Sequence, residues 1–231
     1  MSFLSTLLHF NTQRRDAHVA MFAASLPAGT RVLDVGAGTC RYKPLFAHCE
    51  YSAQDFAKYE GSEFTYGDLD YVSDITSIPA PDAAFDAILS TEVLEHVPSP
   101  DLAVREMARL LVPGGRLLLT APLGSALHMM PYHFYGGFTP SWYKYWLPRV
   151  GLDVVRCEPN RGFFKSFGQE SFRFPNILRP EGRLGRIAYL PVKLALMPLF
   201  SLAIPLLCHL LDRFETPGEF TVGYFVEARR V

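Results

Sequence analysis

The sequence has few cysteines, and they do not form pairs. Its 231 residues include four, Cys40, Cys49, Cys157 and Cys208, and no two lie in a C-x-x-C arrangement. Such a scatter excludes a small disulfide-stapled scaffold and indicates reduced thiols. The sequence also has no cysteine–histidine cluster at metal-ligand spacing, so it predicts no metal centre.

Excess charge of either sign is also missing. The net charge is -1, and only 19% of the residues are charged, against a hydrophobic fraction of 49%. A nucleic-acid-binding surface usually shows as a positive excess, so we expect no nucleic-acid partner. The first ten residues, MSFLSTLLHF, precede Arg14 and Arg15, which is the reverse of a secretory leader, and we expect a cytoplasmic protein.

No uncharged apolar run is long enough for an ordinary membrane-spanning helix. The run from Leu194 to Cys208 falls short of the roughly 20 residues that a span needs. Three prolines, at 191, 198 and 205, would kink or divide a helix there. Basic residues precede the run, which suits an element lying in a membrane interface, and that would give peripheral membrane association. The alternatives are a buried substrate lid, a homodimer surface and a true span.

Short apolar segments alternate with helical ones along most of the chain, which predicts an α/β fold with a parallel sheet covered on both faces. The expected strands are Arg31–Val35, Tyr51–Phe56, Phe85–Ser90, Arg116–Thr120, Leu152–Cys157 and Phe220–Arg229. Helices are expected over residues 1–26, 42–49, 101–111 and 141–150. We treat residues 1–231 as a single domain, in which 159–218 form an apolar helical insertion too long for an ordinary connection.

The segment VLDVGAGTCR, residues 32–41, predicts a ligand-binding turn. Gly36 and Gly38 follow a strand, where backbone can approach a ligand closely, but Arg41 occupies the place of the third glycine of a dinucleotide site. Asp34 would repel a pyrophosphate and attract a cation. Asp55 follows at the distance typical of a ribose-binding carboxylate. The pattern favours a ligand with a ribose and a positive charge, as in S-adenosylmethionine.

The motifs VLDVGAGTCR, YSAQDF, DITSIPAPDAAFDAILSTEVLEHVPSP and LLVPGGRLLLTAP together resemble those of class I S-adenosylmethionine-dependent methyltransferases, over residues 31 to about 122. This resemblance implies a Rossmann-like, doubly wound, seven-stranded sheet whose last strand is antiparallel. It also implies S-adenosyl-L-methionine as cofactor. The residues that it implies at the cofactor are Asp34, Gly36, Ala37, Gly38, Asp55, Phe56, Asp74, Ile75 and Thr91.

A second resemblance concerns the substrate side. The stretch HMMPYHFYGGFTP, residues 128–140, resembles a segment of methyltransferases associated with polysaccharide and cell-envelope biosynthesis. It keeps His128, Pro131 and Thr139, but His133 stands near the usual aspartate. Methylation of a hydroxyl requires removal of its proton, and histidine suits that role near neutral pH. The candidate bases are therefore His133, His128 and His96.

These features predict O-methylation of a glycan, a glycolipid or a small hydroxylated metabolite, with a lipid-linked acceptor if the apolar insertion meets a membrane. A phenolic or carboxylate metabolite is an alternative acceptor, and a carboxylate would need no base. From other classes, an NAD(P)-dependent oxidoreductase conflicts with Asp34 and Arg41. A catalytically silent methyltransferase-fold binding module would bind the cofactor without turnover.

Overall fold

The computed structural model describes residues 9–61, 64–177, 180–215 and 219–231. The chain divides into two compact units. One comprises Arg15–Glu158 with Gly223–Val231, and the other comprises the N-terminal residues to Arg14 with Pro159–Val222. The strands are β1 Arg31–Val35, β2 Glu50–Asp55, β3 Tyr71–Val72, β4 Phe85–Thr91, β5 Leu111–Pro122, β6 Leu152–Pro159 and β7 Gly223–Arg230. The α-helices are α1 Phe10–Ala24, α2 Pro100–Leu110, α3 Pro140–Arg149, α4 Phe163–Ile177, α5 Gly182–Pro198 and α6 Ile204–Leu211.

The seven strands form one sheet in the order β3-β2-β1-β4-β5-β7-β6. Strands β1 to β5 pair in parallel, and β7 runs antiparallel to β5, beginning with Gly223 opposite Pro122. This arrangement confirms the predicted seven-stranded sheet with an antiparallel last strand. The carboxyl ends of β1, β2 and β4 lie next to one another, which is where open α/β sheets bind ligands.

Both faces of the sheet are buried, because neighbouring residues of each strand enter different apolar clusters. Leu33 of β1 joins the cluster that contains Met107 of α2 and Tyr143 of α3. Its neighbour Val32 joins the cluster that contains Phe22 of α1. These side chains are almost fully buried. The central strands are therefore continuously apolar because helices cover both faces of the sheet, as expected for parallel strands.

Two local predictions were wrong in detail. The helix predicted over residues 42–49 is a single 3-10 turn, Lys43–Phe46. Pro44 lacks a donor, and β2 begins already at Glu50, so a longer helix has no room. The strand predicted over Arg116–Thr120 begins earlier, at Leu111, and Pro113-Gly114-Gly115, a sequence typical of a turn, lies within the irregular first part of β5. There Asp86 faces the four residues 112–115, and Gly114 has a φ of 78°.

Two strands and the N-terminal helix differ in extent from the predicted elements. Strand β7 begins at Gly223 rather than at Phe220, and β6 extends two residues past Cys157, to Pro159. The N-terminal helical prediction is met by α1 over Phe10–Ala24. Its first part, residues 1–8, lies outside the described residues.

In the described part of the second unit after Pro159, all the regular elements are helical. Helix α5, a π-helical segment Leu199–Ala203 and α6 follow one another without a break. They form a helical stretch, Gly182–Phe214, long and apolar enough to span a membrane, with a mean hydropathy of 2.1 and 11% of its most apolar window buried. We refer to this stretch as the apolar arm. The prolines that suggested a divided helix are accommodated within it, two of them in α5.

Helix α4 packs against the arm along one side. The rings of Phe174 and Phe200 stack 4.1 Å apart, and the hydroxyl of Ser171 donates to the backbone carbonyl of Phe200 at 3.1 Å. Gly168 allows close approach, because a Cβ there would lie 3.1 Å from the Cβ of Cys208. These contacts involve the π-helical segment and α6, whereas α5 buries no residue completely.

Candidate functional site

The turn after β1 is held against β2 by its own backbone. The N–H groups of Gly36 and Ala37 both donate to the carbonyl of Gln54, at 2.8 and 2.9 Å. Gly36 has a φ of 73°, and a Cβ there would lie 2.4 Å from a methyl carbon of Val93. Glycine is therefore required at this position both by the backbone conformation and by the segment that follows β4.

Asp34 is a buried carboxylate at the end of β1, with 2% of its surface exposed. The hydroxyl of Tyr51 donates to its Oδ2 at 2.7 Å. Burial raises the pKa of Asp34 to about 7, and the nearby charge of Asp55 acts in the same direction, while the bond from Tyr51 opposes it. A positively charged ligand group beside this carboxylate would favour its ionised form.

Asp55 ends β2 and is also buried. Its Oδ2 accepts from the backbone N–H of Gly38 at 2.9 Å, and its Oδ1 accepts from the N–H of Ala57 at 3.1 Å. These two bonds fix the orientation of the carboxylate. Each oxygen retains a second lone pair, so the group can still accept from two ribose hydroxyls.

Asp74, Ile75 and Phe56 are the residues predicted at the adenine. Asp74 caps a turn, because its Oδ1 accepts from both the backbone N–H and the hydroxyl of Thr76, at 2.9 and 2.7 Å. These two bonds lower the pKa of Asp74, the backbone bond more than the side-chain bond. The ring of Phe56 meets that of Tyr132 edge to face at 4.9 Å.

A cavity of about 410 Å³ opens beyond the carboxyl ends of β1, β2 and β4. This volume is in the range of small-molecule pockets, roughly 300–1,000 Å³. All nine residues predicted at the cofactor line it, Thr91 at the end of β4 among them. Of the three candidate bases, His96 lies on its wall, whereas His128 and His133 are not among its lining residues. Their roles remain predictions.

Arg15, Lys58 and Glu92 are charged residues of the cavity wall that the sequence patterns did not indicate. Arg15 of α1 pairs with Glu92, whose Oε2 lies 3.4 Å from its Nη1. The Oε1 of Glu92 accepts from the hydroxyl of Thr120 at 2.7 Å. One signal could have found Arg15: it lies four and seven residues before Val19 and Phe22, both buried, and so shares their face of α1.

The three candidate bases form a cluster, although His96 lies more than thirty residues before His128 and His133 in the sequence. The ring centres of His96 and His128 are 4.7 Å apart, those of His128 and His133 are 4.6 Å apart, and those of His96 and His133 are 5.8 Å apart. We call these three residues the histidine cluster. The loop that carries His128 and His133 is held in place because the backbone carbonyl of Glu95 accepts from Phe134, at 2.9 Å.

Hydrogen bonds define which ring nitrogen of each histidine in the cluster carries the proton and which is unprotonated. The Nδ1 of His96 contacts the carbonyl of Tyr132 at 2.5 Å, and the Nδ1 of His128 contacts the carbonyl of Ala126 at 2.9 Å. A carbonyl can only accept, so each Nδ1 carries the proton, and Nε2 is the basic nitrogen of the neutral ring.

The third ring of the cluster presents the opposite nitrogen. The Nε2 of His133 contacts the hydroxyl of Ser125 at 3.0 Å, and that hydroxyl donates to the carbonyl of Gly136. Nε2 is therefore the donor, and Nδ1 is left free. Burial lowers the pKa of His96 and that of His133, and neighbouring histidine rings lower both further. Both effects favour the neutral form of the ring.

Beneath the cluster lies the carboxyl group of Glu95, which is 1% exposed. Its Oε1 is 3.9 Å from the Nε2 of His96, and among the described residues its Oε2 has no hydrogen-bond partner. Burial and the charge of Glu92 raise the pKa of Glu95 to about 8. The sequence analysis gave this residue no role.

The lining of the cavity fits the ligand predicted from the sequence. Two buried carboxylates, Asp34 and Asp55, stand where a cationic group and a ribose would be recognised, and both are unfavourable to a pyrophosphate. Arg41, in the place of the third dinucleotide glycine, pairs instead with Asp16 at 2.6 Å. Aromatic rings complete the wall, including those of Phe64 and Tyr66.

Residues 33–119 match the family model described as "Methyltransferase domain". The ubiquinone biosynthesis O-methyltransferase of Xanthomonas axonopodis pv. citri is 32% identical over 157 residues, which cover 55% of this chain and 64% of that protein. A Bos taurus protein named probable tRNA methyltransferase 9B is 32% identical over 127 residues, covering 50% of this chain and 27% of the relative. The chain thus spans less than two thirds of the length of either relative.

Solved structures share the fold at low sequence identity. The [4+2]-cyclase SpnF matches with a TM-score of 0.57 and 21% identity, covering 94% of this chain and 80% of the other. The phosphoethanolamine N-methyltransferase 2 of Haemonchus contortus, solved in complex with S-adenosyl-L-methionine, matches with a TM-score of 0.54 and 14% identity, covering 94% and 52%. None of these matches supports the oxidoreductase alternative.

Proposed function

Because this chain carries a class I S-adenosylmethionine-dependent methyltransferase domain, we propose that it methylates a hydroxyl oxygen of an acceptor borne on a membrane surface, such as a glycolipid. The observation that carries the choice of a hydroxyl is the histidine cluster, since one of its rings lies on the wall of the cofactor cavity. Hydroxyl acceptors need a base, and neutral imidazoles meet that need at pH 7.

The residues divide the work between the cofactor and the acceptor. When bound, S-adenosylmethionine supplies a methyl group activated by its sulfonium. Asp34 holds the positive end of that ligand, and Asp55 accepts from the ribose hydroxyls. On the acceptor side, the free Nδ1 of His133 takes the hydroxyl proton, while His96 maintains the loop through its bond to the carbonyl of Tyr132.

Positioning carries much of the rate in such a transfer, because two bound groups replace a bimolecular encounter. Excluding water from the site keeps water from competing with the acceptor. The aromatic wall around Tyr132 and Phe134 serves that purpose, and both residues belong to the loop that contains His128 and His133. The same loop therefore bears the base and shields it.

The apolar arm supports a membrane-borne acceptor. Its exposed side chains include Leu184 at 83%, Ile187 at 59% and Leu194 at 57%. Between residues 182 and 211 the only formal charges are those of Arg183, Arg186 and Lys193, and no acidic residue occurs. An apolar helical surface with a basic end suits the interface of a membrane that contains anionic lipids.

A phenolic hydroxyl is the second candidate acceptor. It is favoured by the aromatic side chains of the cavity and by the O-methyltransferase relative named for ubiquinone biosynthesis. A tRNA acceptor, suggested by the name of another relative, is less favoured, since the chain has a net charge of -1. Both hydroxyl classes leave the role of His133 unchanged.

The test is transfer of a labelled methyl group from S-adenosylmethionine to three fractions of a cell lysate: membrane lipid, soluble metabolites and RNA. We expect label in the lipid fraction, in a linkage stable to mild base, as an ether is and an ester is not. His133→Ala should reduce that label at least tenfold, with cofactor affinity unchanged in a calorimetric titration.

His48→Ala is the matched control, because His48 is an exposed histidine whose Nε2 also contacts a carbonyl, that of Leu26. Its labelling should equal that of the wild type. Label confined to RNA would refute a membrane-borne acceptor, and a base-labile methyl ester would refute O-methylation of a hydroxyl. Tight cofactor binding with no labelled product in any fraction would favour the catalytically silent module.

A further inference from the structure

Three side chains next to the cofactor cavity could hold a metal ion together. Glu95, His96 and His128 each offer one ligand atom, and these atoms all lie within 4.8 Å of one another. Glu95 and His96 belong to a 3-10 turn, Leu94–His96, whereas His128 comes from the loop after β5. Sequence spacing could not reveal this group, because more than thirty residues separate its two parts.

We propose that Glu95, His96 and His128 form a binding site for a divalent transition-metal cation of the zinc type. Both imidazoles are already in the tautomer that such a site needs. Each donates its Nδ1–H to a backbone carbonyl, that of Tyr132 or that of Ala126, which leaves Nε2 unprotonated. Metal-bound histidines usually make this outer hydrogen bond, which sets the ring orientation.

The buried carboxylate is an independent indication of a ligand. Glu95 is 1% exposed, and no group in the part of the chain that the structure describes forms a hydrogen bond with its Oε2. A buried polar atom without a partner costs free energy, so it calls for an explanation such as an ion. A bound cation would give Oε2 a partner. The other oxygen of this carboxyl group, Oε1, already lies 3.9 Å from the Nε2 of His96.

The type of ligand decides the class of cation. Two imidazoles and one carboxylate suit zinc and its neighbours in the first transition row, whereas magnesium prefers oxygen ligands alone. Zinc lies about 2.0–2.2 Å from such atoms, so its tetrahedral ligands stand roughly 3.3 Å apart. The ligand atoms would have to move together by about an ångström or more, which the exposed side chain of His128 permits.

Three protein ligands leave a fourth position open, as in catalytic zinc sites. If the proposed function is correct, the acceptor hydroxyl oxygen would bind there. Coordination makes a hydroxyl more acidic, and its proton would pass to the free Nδ1 of His133, whose ring lies beside that of His128. Metal binding itself does not depend on that function.

The experiment measures binding without turnover. Full-length protein freed of metal by a chelator is titrated with Zn²⁺ by calorimetry, and with Co²⁺ by visible absorption. We expect one Zn²⁺ per chain, weak or no binding of Mg²⁺, and an absorption spectrum typical of tetrahedral or five-coordinate Co²⁺ with nitrogen and oxygen ligands. His128→Ala should weaken Zn²⁺ binding at least tenfold, and Glu95→Gln should do the same.

His48→Ala provides the control for binding by an unrelated exposed histidine and should bind like the wild type. A Zn²⁺ affinity that is equal in His128→Ala and wild type would overturn the proposal, as would no binding at all. Labelled-methyl transfer separates the two hypotheses. Methyl transfer by a protein that binds no metal would support the proposed function and contradict the metal site. Metal binding without methyl transfer would support the metal site and contradict the proposed function.

Discussion

At the scale of single residues, the cofactor cavity depends most on the ionisation of Asp34. Its carboxylate is buried and receives one hydrogen bond, from Tyr51, so its pKa lies near 7. Most surface aspartates have pKa values near 3.9 and are fully charged at neutral pH. Asp34 therefore titrates in the pH range in which the protein would work, and its charge is needed only when a cationic ligand is present.

The first prediction concerns cofactor affinity. S-Adenosylmethionine should bind about tenfold more tightly near pH 7.5 than near pH 6, because the fraction of ionised Asp34 rises over that interval. Asp34→Asn should weaken binding near pH 7.5 by at least tenfold, or about 1.4 kcal/mol, and should flatten the pH dependence. Calorimetric titrations at both pH values measure this, and an unchanged slope in the variant would show that another group titrates.

The second prediction concerns the stability of the ligand-free protein. The pKa of Asp34 is higher in the folded chain than in the unfolded one, so the folded chain binds the extra proton between about pH 4 and pH 7. The free energy of unfolding of the protein should therefore fall as pH rises through this range. Asp34→Asn should remove that loss and raise the melting temperature near pH 8 by several degrees, with little change near pH 4. A lower melting temperature near pH 8 would contradict this explanation.

At the scale of elements, the turn after β1 and the segment after β4 depend on each other. Gly36 in the first faces Val93 in the second, and no side chain fits between them. Val93 is followed directly by the 3-10 turn that carries Glu95 and His96. The cofactor turn and the histidine cluster are thus two parts of one packed structure, and a disturbance at Gly36 should reach both.

The third prediction uses two glycines of similar conformation. Gly29 and Gly36 have φ values of 75° and 73°, but a Cβ at Gly29 would meet no atom within 4 Å. Gly29→Ala should cost only the conformational penalty, roughly 1 kcal/mol, with cofactor affinity unchanged. Gly36→Ala should cost more and weaken cofactor binding at least tenfold, because it also displaces Val93. Adding Val93→Ala should restore part of the affinity, and equal behaviour of the two single variants would refute the steric argument.

At the scale of the whole molecule, the apolar arm is the feature that an ordinary water-facing surface does not explain. Its exposed leucines, together with Ile187 and Phe214, extend over Gly182–Phe214, far beyond the scattered apolar residues of a typical surface. A membrane interface, a second copy of the chain and a span remain distinct outcomes. The charges favour the first, because three of the arm's four lysines and arginines lie in its N-terminal half and acidic residues are absent until Asp212.

The fourth prediction concerns membrane binding. The protein should sediment with vesicles that contain anionic lipid, and less with neutral vesicles or in high salt. Arg183→Glu combined with Arg186→Glu should reduce the bound fraction several-fold, with cofactor affinity unchanged.

The matched control is Arg105→Glu, a reversal of an exposed charge on α2, which should bind vesicles like the wild type. Concentration-dependent self-association in analytical ultracentrifugation, without vesicle binding, would identify the arm as a dimer surface instead. Release of the protein only by detergent, and not by salt or high pH, would indicate a span.

The sequence by itself determined the cofactor half of the site. Asp34, Gly36 and Asp55 stand at the ends of strands that are recognisable from their apolar residues, and the carboxyl ends of neighbouring parallel strands always lie together. Their spacing along the chain therefore carried the information. The extent of β5 was harder to predict, because the glycines that indicate a turn at 113–115 also serve inside an irregular strand.

Only the tertiary structure decided the histidine cluster, which we propose as the acceptor half. His96 and His128 belong to different loops, and the contact between them depends on backbone bonds such as that from Phe134 to Glu95. The pairing of Arg15 with Glu92, and the burial that raises the pKa of Glu95, likewise require segments far apart in the chain. Ionisation and ligand geometry depend on what surrounds a group in space, and a linear sequence specifies those surroundings only through the completed fold.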